Sequence, residues 1–413
     1  MINKAKGTQD YFGEEAKILK LALNKLDKIA LIYNFEFVKT PLFESINLFK
    51  RAVGTETDIV NKEMFELVAK NNKDQFVLRP EGTAPIVRMV LENKLTELEK
   101  KQRLYYAGVM FRYEQPQKGR QREFFQFGVE LLNDASLTSD LEVLLLGKQI
   151  LDEFQIKKYE LRLNCIGSLE SRKVYLQALK KYYLVHKAKL SADSLTRMET
   201  NILRILDSKD EKDILVNEGA PSIIDYLTKE EQDRFSALCV ELKKLNVKFI
   251  VDNKLVRGLD YYNGLVFEFI STDVKLLGAK ATIIGGGRYD YLITQFDPKK
   301  DVPAVGFALG LSRLLLASNA YLKNELTINN NYYVMSTSEE FSTIALEVAN
   351  KLRTKDLQVE LDCSTQKFEK KFKKAIKQNY QKIIIVGKET LDGEVIVKNL
   401  QTEKQKTIKL NSL

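Results

Sequence analysis

The stretch Met110-Phe111-Arg112-Tyr113-Glu114-Gln115-Pro116-Gln117-Lys118-Gly119-Arg120-Gln121-Arg122-Glu123-Phe124-Phe125-Gln126-Phe127-Gly128-Val129-Glu130 decides the fold. It breaks at Gly119, and the residues after the turn alternate as on a strand. Phe124, Gln126, Gly128 and Glu130 then share one face. That face offers an aromatic plane, an amide, a gap and a carboxylate, where a strand that only packs would show aliphatics. Before the turn, the alternation over 104–114 puts Arg112 and Glu114 on one face of the partner strand. The arginines in and around the turn suit phosphate oxygens, because the guanidinium fork meets them in two places at once. An antiparallel hairpin with a ligand-facing side is the centre around which the rest is read.

Outward from the hairpin, residues 14–33 have helical periodicity, followed by a short strand Phe35–Val38. Strands are expected at 64–69, 75–79 and 158–164, and helices at about 83–100 and 138–154. From Ser168 to about Asn246 the texture changes to Lys/Leu-rich helical periodicity, as in a helical insertion. Strand character returns at 248–271 and 281–285, then a helix at about 304–321. After Asn329-Asn330-Asn331 the chain restarts as an alternating α/β unit. Its strands are Tyr332–Ser336, Gln358–Asp362 and Lys382–Val386, and its helices span 339–354 and 366–379.

Four further segments carry chemistry. In Leu78-Arg79-Pro80-Glu81-Gly82-Thr83 a strand ends and a helix begins. Thr83 reads as its N-cap, and Glu81 with Thr83 as a site for a substrate ammonium. Leu255-Val256-Arg257-Gly258-Leu259-Asp260-Tyr261-Tyr262 gathers an arginine, a carboxylate and two tyrosines ahead of an apolar strand. Ile283-Ile284-Gly285-Gly286-Gly287-Arg288-Tyr289-Asp290 lacks the spacing of a nucleotide loop, so its glycines let backbone approach a ligand closely. Ala304–Leu314 reads as a buried strand–helix junction in which Arg313 is an odd core residue unless it faces a ligand.

Composition narrows the chemistry. At 413 residues the chain is too long for one ordinary core. With 44% hydrophobic and 29% charged residues it reads as soluble. It shows no signal-peptide pattern and no run approaching ~18 apolar residues, so the cytoplasm is the expected location and no membrane partner is expected. Cys165, Cys239 and Cys363 lie far apart, and His186 is the one histidine, so no ordinary His/Cys metal site can form. Chemistry must run on arginine, carboxylate, tyrosine and glutamine, which favours electrostatic positioning over a histidine-based triad. The net charge of +9 permits nucleic-acid binding without requiring it. Residues 327–413 carry 15 Lys and Arg against 11 Asp and Glu, a net +4.

These segments together resemble the three signature motifs of class II aminoacyl-tRNA synthetases. They are the Lys39-Thr40-Pro41-Leu42-Phe43-Glu44 region, the Arg112–Glu130 hairpin and Gly310-Leu311-Ser312-Arg313. Leu255–Tyr262 and Gly285–Asp290 are similar to the two histidine motifs of histidyl-tRNA synthetases. Gly7-Thr8-Gln9-Asp10 and Val53–Val60 add family-like text. The resemblance spans nearly the whole chain.

It implies an α+β fold: an antiparallel class II sheet flanked by helices, with a helical insertion and a C-terminal α/β anticodon-binding domain. Residues 1–167 and 247–326 would form the catalytic core, 168–246 the insertion and 327–413 the anticodon domain. The reaction implied is ATP-dependent activation of L-histidine and its transfer to tRNA(His), by a homodimer with Mg²⁺ accompanying ATP. Arg112 would bind the α-phosphate, Glu114 the adenine amino group and Arg120 the γ-phosphate, with Phe124 and Arg313 sandwiching adenine. Glu81, Thr83 and Gln126 would take the α-amino end of histidine, and Glu130 and Tyr262 the imidazole, with Tyr261 beside it. Arg257 would contact the carboxylate and α-phosphate.

The chain departs from the family pattern at Ser312 (usually glutamate), Gly13 (proline), Phe125 (histidine) and Gln115 (arginine). The chief alternative is the regulatory paralogue of ATP phosphoribosyltransferase, which shares the catalytic fold. It typically lacks the anticodon domain and has eroded motifs, whereas Arg257, Arg112, Glu130 and Tyr262 are all present here.

Overall fold

A computed structural model describes residues 2–55, 57–68, 75–97, 100–277, 280–327, 331–378, 380–400 and 402–412. Glu56 lies outside the described residues, as do the end of the expected 64–69 strand, residues 98 and 99 of the expected 83–100 helix, and Asn329 and Asn330. The chain divides into two units, Met1–Asn319 and Ala320–Leu413.

The first unit is built on a sheet of eight described strands. In spatial order they are Glu36–Phe37, Gln102–Phe111, Glu123–Leu132, Ala304–Gly310, Ala281–Arg288, Asn263–Ser271, Tyr159–Cys165 and Ile250–Val251. The two short edge strands pair in parallel, and the six between them run antiparallel. The hairpin lies where its alternation predicts, with Phe124 opposite Met110 and Glu130 opposite Leu104.

Register separates the two faces. On one, Tyr105, Val129, Phe307 and Phe267 form a row, and Phe127, Leu309, Ile284 and Phe269 form another. All are buried. The helix Leu137–Glu153 covers them, and its Gly147 has room for no side chain against the Phe269 ring. Each full burial of a phenylalanine stabilises the fold by about 2 kcal/mol. The other face is nearly bare. Tyr106, Gly128, Ala308, Gly285 and Glu268 make one row across five strands, and Leu104, Glu130, Gly306, Gly287 and Val266 the next. Gly108, Gln126 and Gly310 continue it. A sheet face floored by glycine is a shallow trough.

Three local expectations are corrected. The 104–114 strand ends at Phe111, because Tyr113 N donates to Glu63 O (2.7 Å) and Glu114 N to Arg112 O (2.7 Å) rather than to the ladder. Arg112 and Glu114 therefore sit on the connecting loop. Residues 304–310 form a strand, not the start of a helix; the helix is Leu311–Thr327. Thr83 is the first residue of helix Thr83–Glu92 rather than its N-cap. The orphan N–H groups of Thr83 and Ala84 are taken by the Glu81 carboxylate, each at 2.8 Å.

Residues 168–246 hold the helices Leu169–Val185, Ala192–Thr200, Glu211–Asn217 and Lys229–Lys244, started by Ser168, Ser191, Asp210 and Thr228 caps. Buried Asp213 ties Ser191, Ser194 and Ser208 together through their hydroxyls. The second unit has strands in the order Gln358–Asp362, Asn331–Ser336, Lys382–Val386, Glu394–Asn399 and Gln405–Lys409. The first three are parallel and the last two antiparallel. Alternation along Asn331–Ser336 sends Val334 toward helix Ser342–Arg353, and Tyr333 and Met335 toward helix Phe368–Lys377.

Candidate active site

Glu130 stands at the bottom of the trough, 1% exposed. It fits because its neighbour across the ladder is Gly306, where a Cβ would lie 2.1 Å from the Glu130 carboxylate. The Thr83 hydroxyl donates to it at 2.7 Å, and the Tyr289 hydroxyl also donates to it. Burial raises its pKa to about 8, opposed by those two hydroxyls and reinforced by nearby Glu81. Burial likewise pushes the Glu81 carboxyl up. Aromatic rings wall this corner: Tyr261 and Tyr262 are 4.7 Å apart and Tyr261 and Tyr289 5.7 Å. Gly287 gives Tyr262 its place, since a Cβ there would be 3.0 Å from the ring. Burial keeps all three phenols protonated and able to donate. Gln126 accepts from the Tyr106 hydroxyl at 3.1 Å. Tyr106 is sandwiched between Gly82 and Gly128, either of which would overlap it if it carried a Cβ.

The arginines occupy the other end. Arg257 comes off the 252–262 loop and lays its guanidinium over Gly285, where a Cβ would be 2.4 Å from Nη2. It is paired with Glu268 and lies 5.8 Å from the Tyr262 ring centroid. Its Nε is buried without a partner. Arg112 donates Nε to Pro80 O at 2.9 Å and lies over the Phe124 ring at 5.4 Å. Glu114 lies 3.8 Å from Arg112 and 3.3 Å from Arg120. Arg313 donates to Thr282 O at 2.6 Å. Its pKa is lowered to about 10, first by burial, then by repulsion from Arg120, with Arg112 and Arg257 adding to it. Arg313 thus lies buried among three other guanidinium groups, a setting that favours a bound anion.

All twelve residues singled out from sequence as site residues therefore fall in two adjoining groups. One group is Glu81, Thr83, Gln126, Glu130, Tyr261 and Tyr262; the other is Arg112, Glu114, Arg120, Phe124, Arg257 and Arg313. Phe124 carries Arg112 on its ring. Five contributors were not foreseen. Tyr289 was visible inside the Gly285–Asp290 motif, whereas Tyr106, Glu268 and Thr282 need the register. Arg172, on the first helix of the 168–246 stretch, also reaches the site, donating to Asp260 O at 3.3 Å and to Tyr262 O. His186 caps the C-terminal end of that same helix, its Nδ1 3.0 Å from Tyr182 O. Ser312 hydrogen-bonds the Tyr11 phenol and lines, with Lys118, Gly119 and Gln121, a cavity of about 300 Å³ beside the arginine end.

A buried carboxylate among phenols, next to clustered arginines, suits a ligand with a ring N–H at one end and phosphate at the other. A model of the histidyl-tRNA synthetase family matches residues 7–314, and one of anticodon-binding domains matches 327–413. The chain is 40% identical over 418 residues to a histidine–tRNA ligase of Streptococcus agalactiae serotype Ia, covering 100% of this chain and 96% of that one. It is 40% identical over 418 residues to the histidine–tRNA ligase of Malacoplasma penetrans, covering 100% and 97%. The crystal structure of apo S. aureus histidyl-tRNA synthetase superposes with a TM-score of 0.80 at 31% identity, covering 100% of this chain and 98% of that one.

Proposed function

Because the chain belongs to the histidyl-tRNA synthetase family, we propose that the glycine-floored trough is its adenylation site. Its reaction is that of a class II histidine–tRNA ligase: ATP-dependent activation of L-histidine, then transfer to tRNA(His) with release of AMP and pyrophosphate. The observation that carries the site reading is Glu130, a buried carboxyl group held by two hydroxyls among the site's phenols.

Histidine enters with its imidazole N–H toward Glu130 and its ring against Tyr262 and Tyr261, while Glu81, Thr83 and Gln126 take the ammonium. The ring N–H adds a third donor to a buried acid already held by the Thr83 and Tyr289 hydroxyls. An apolar rival would supply no such donor, which can give roughly 10⁴–10⁵ discrimination and makes a separate editing domain unnecessary. Arg112 and Arg120 hold the α- and γ-phosphates, Glu114 accepts from the adenine amino group, and Phe124 and Arg313 pack its ring.

The histidine carboxylate oxygen attacks the α-phosphorus, the bond to pyrophosphate breaks, and pyrophosphate leaves with its electron pair. Negative charge gathers at the α-phosphate, and Arg257 stabilises it without proton transfer. The terminal ribose hydroxyl of tRNA then attacks the adenylate carbonyl and AMP departs. Mg²⁺ fits as an ion carried on the ATP phosphates, neutralising them. Glu63, near Arg112 and Arg120, is a carboxylate that would help hold it, and Mg²⁺ commonly needs only one or two when phosphates and waters supply the rest.

Residues 1–167 and 247–326 then serve as catalytic core, 168–246 as an insertion toward tRNA, and 327–413 as anticodon reader. A homodimer is favoured by exposed Leu31, Ile32, Phe37, Leu42 and Phe43 on and around the first motif. Free cysteines and a tRNA partner fit the cytoplasm. Among the described residues no helix is long and apolar enough to cross a membrane. ATP–pyrophosphate exchange run against all twenty amino acids tests the reading: histidine alone should support exchange, and exchange driven by another amino acid would sink it.

A further inference from the structure

Arg257 sits on a loop, not on a strand, so its own backbone does not hold its guanidinium to the sheet. Two features do. Gly285 leaves an empty place on the sheet face, and the residue directly across the ladder from Gly285 is Glu268. The guanidinium fills that place and pairs with Glu268 through Nη1. Both side chains are mostly buried, at 17% and 14% exposure. The charge-assisted pair with Glu268 and the vacancy over Gly285 together anchor the guanidinium on the sheet face.

The second oxygen of Glu268 accepts from the Thr282 hydroxyl at 2.7 Å. Thr282 lies three residues before Gly285 and would ordinarily point to the opposite face. A register shift between Thr282 and Ile284 removes that alternation, so Thr282 pairs with Ile270 and Gly285 with Glu268, on one face. The bulge thus aims a hydroxyl at the carboxylate. The carbonyl of the same Thr282 accepts from Arg313. Thr282 is the joint between the two arginine arms, one at the reacting phosphate and one at the adenine.

We infer that Glu268, braced by Thr282, is the positioning residue that holds Arg257 for adenylate formation. This rests on the role given to Arg257 above. Glu268 touches neither substrate; it acts by keeping one guanidinium in place, so its loss should lower the rate of adenylation and leave substrate affinity alone.

The test is a double-mutant cycle in the full-length enzyme, read by histidine-dependent ATP–pyrophosphate exchange with separate kcat and KM. Glu268→Gln keeps the shape and removes the charge. It should lower kcat by roughly 10- to 100-fold, the usual cost of a misplaced catalytic group, with the KM for histidine unchanged. Thr282→Val keeps the carbonyl for Arg313 and should give a smaller loss in the same direction. In an Arg257→Ala background both should have no further effect. Losses that multiply with that of Arg257→Ala overturn the inference while leaving the role of Arg257 intact. So does a Glu268→Gln enzyme with normal or raised kcat. An Arg257→Ala enzyme with normal exchange overturns the role of Arg257 and the inference with it. If Glu268→Gln does not fold, Thr282→Val in the two backgrounds decides between the same outcomes.

Discussion

Gly285→Ala should nearly abolish adenylation while leaving the fold intact. The new methyl carbon would sit 2.4 Å from Nη2 of Arg257 and 2.7 Å from both Cζ and Nη1. Ordinary contact begins near 3.4 Å, so the guanidinium must retreat by about 1 Å, and a displacement of that size costs ~10²-fold in rate. At ~1.4 kcal/mol per tenfold, that is about 3 kcal/mol of lost transition-state stabilisation. The group displaced is the far end of a side chain, so the fold itself loses little. Gly286→Ala, one residue on, makes the opposite prediction. Its methyl would meet Gly306 O at 2.2 Å and Phe307 Cα at 2.7 Å, which are backbone and cannot swing away. Overpacking of that kind costs ~1–3 kcal/mol of stability. Pyrophosphate exchange and thermal melting of the two variants side by side give the assay. Gly285→Ala retaining exchange within a few-fold, or melting as low as Gly286→Ala, would refute the assignment of that vacancy to Arg257.

Four other outcomes are expected. Arg257→Ala should lower exchange by roughly 10²–10³-fold, the effect of losing one positioned donor to developing charge, with melting close to wild type. Glu130→Gln should raise the KM for histidine more than that for ATP, and equal effects would argue against a ring contact. The same variant reports a pH dependence. The folded enzyme keeps a proton on Glu130 up to about pH 8, whereas the unfolded chain releases it near pH ~4.3. The stability owed to this group is therefore full below the unfolded value and is lost as pH rises toward 8. The melting temperature of Glu130→Gln relative to wild type should climb between pH 5 and 8, and a flat difference would count against a buried carboxyl group that holds its proton. Finally, Ile32→Asp combined with Phe43→Asp should yield folded monomers by sedimentation if those exposed side chains meet in a dimer; an undisturbed sedimentation profile would remove them from the interface.

The hairpin was legible because its alternation, its turn glycine and its odd polar face all pointed one way. Phe124, Gln126, Gly128 and Glu130 share a face in the register as they do in the sequence. Less was legible where one local rule met a stronger neighbour. Thr83 has the chemistry of a cap, but the Glu81 carboxylate two residues earlier accepts from two backbone N–H groups at once and displaces it. Ala304–Gly310 is short, apolar and glycine-punctuated, and such runs do not distinguish strand from helix until their neighbours are known. The antiparallel pair Glu394–Asn399 and Gln405–Lys409 was missed behind a polar surface, with the second strand mostly exposed. Glu268 lay in plain view within Asn263–Ser271. Nothing local marks it, because its partner Gly285 is known only from the register and its brace Thr282 only from a bulge.

The sheet order gives Ala304–Gly310 a significance in time. It is the last of the eight strands to leave the ribosome, yet it lies in the middle, between the hairpin and the strand Ala281–Arg288. Without it, the order of the sheet falls into two separate groups of strands: one bears Gln126 and Glu130 with Arg112 on its loop, the other Glu268, Gly285 and Gly287. Neither half alone encloses a pocket, and Glu130 has no Gly306 to lie against. Late, long-range closure of this kind is slow, and it leaves two open strand edges exposed in the nascent chain. A chain cut short before Ala304 would carry most of the residues of the site and none of its shape.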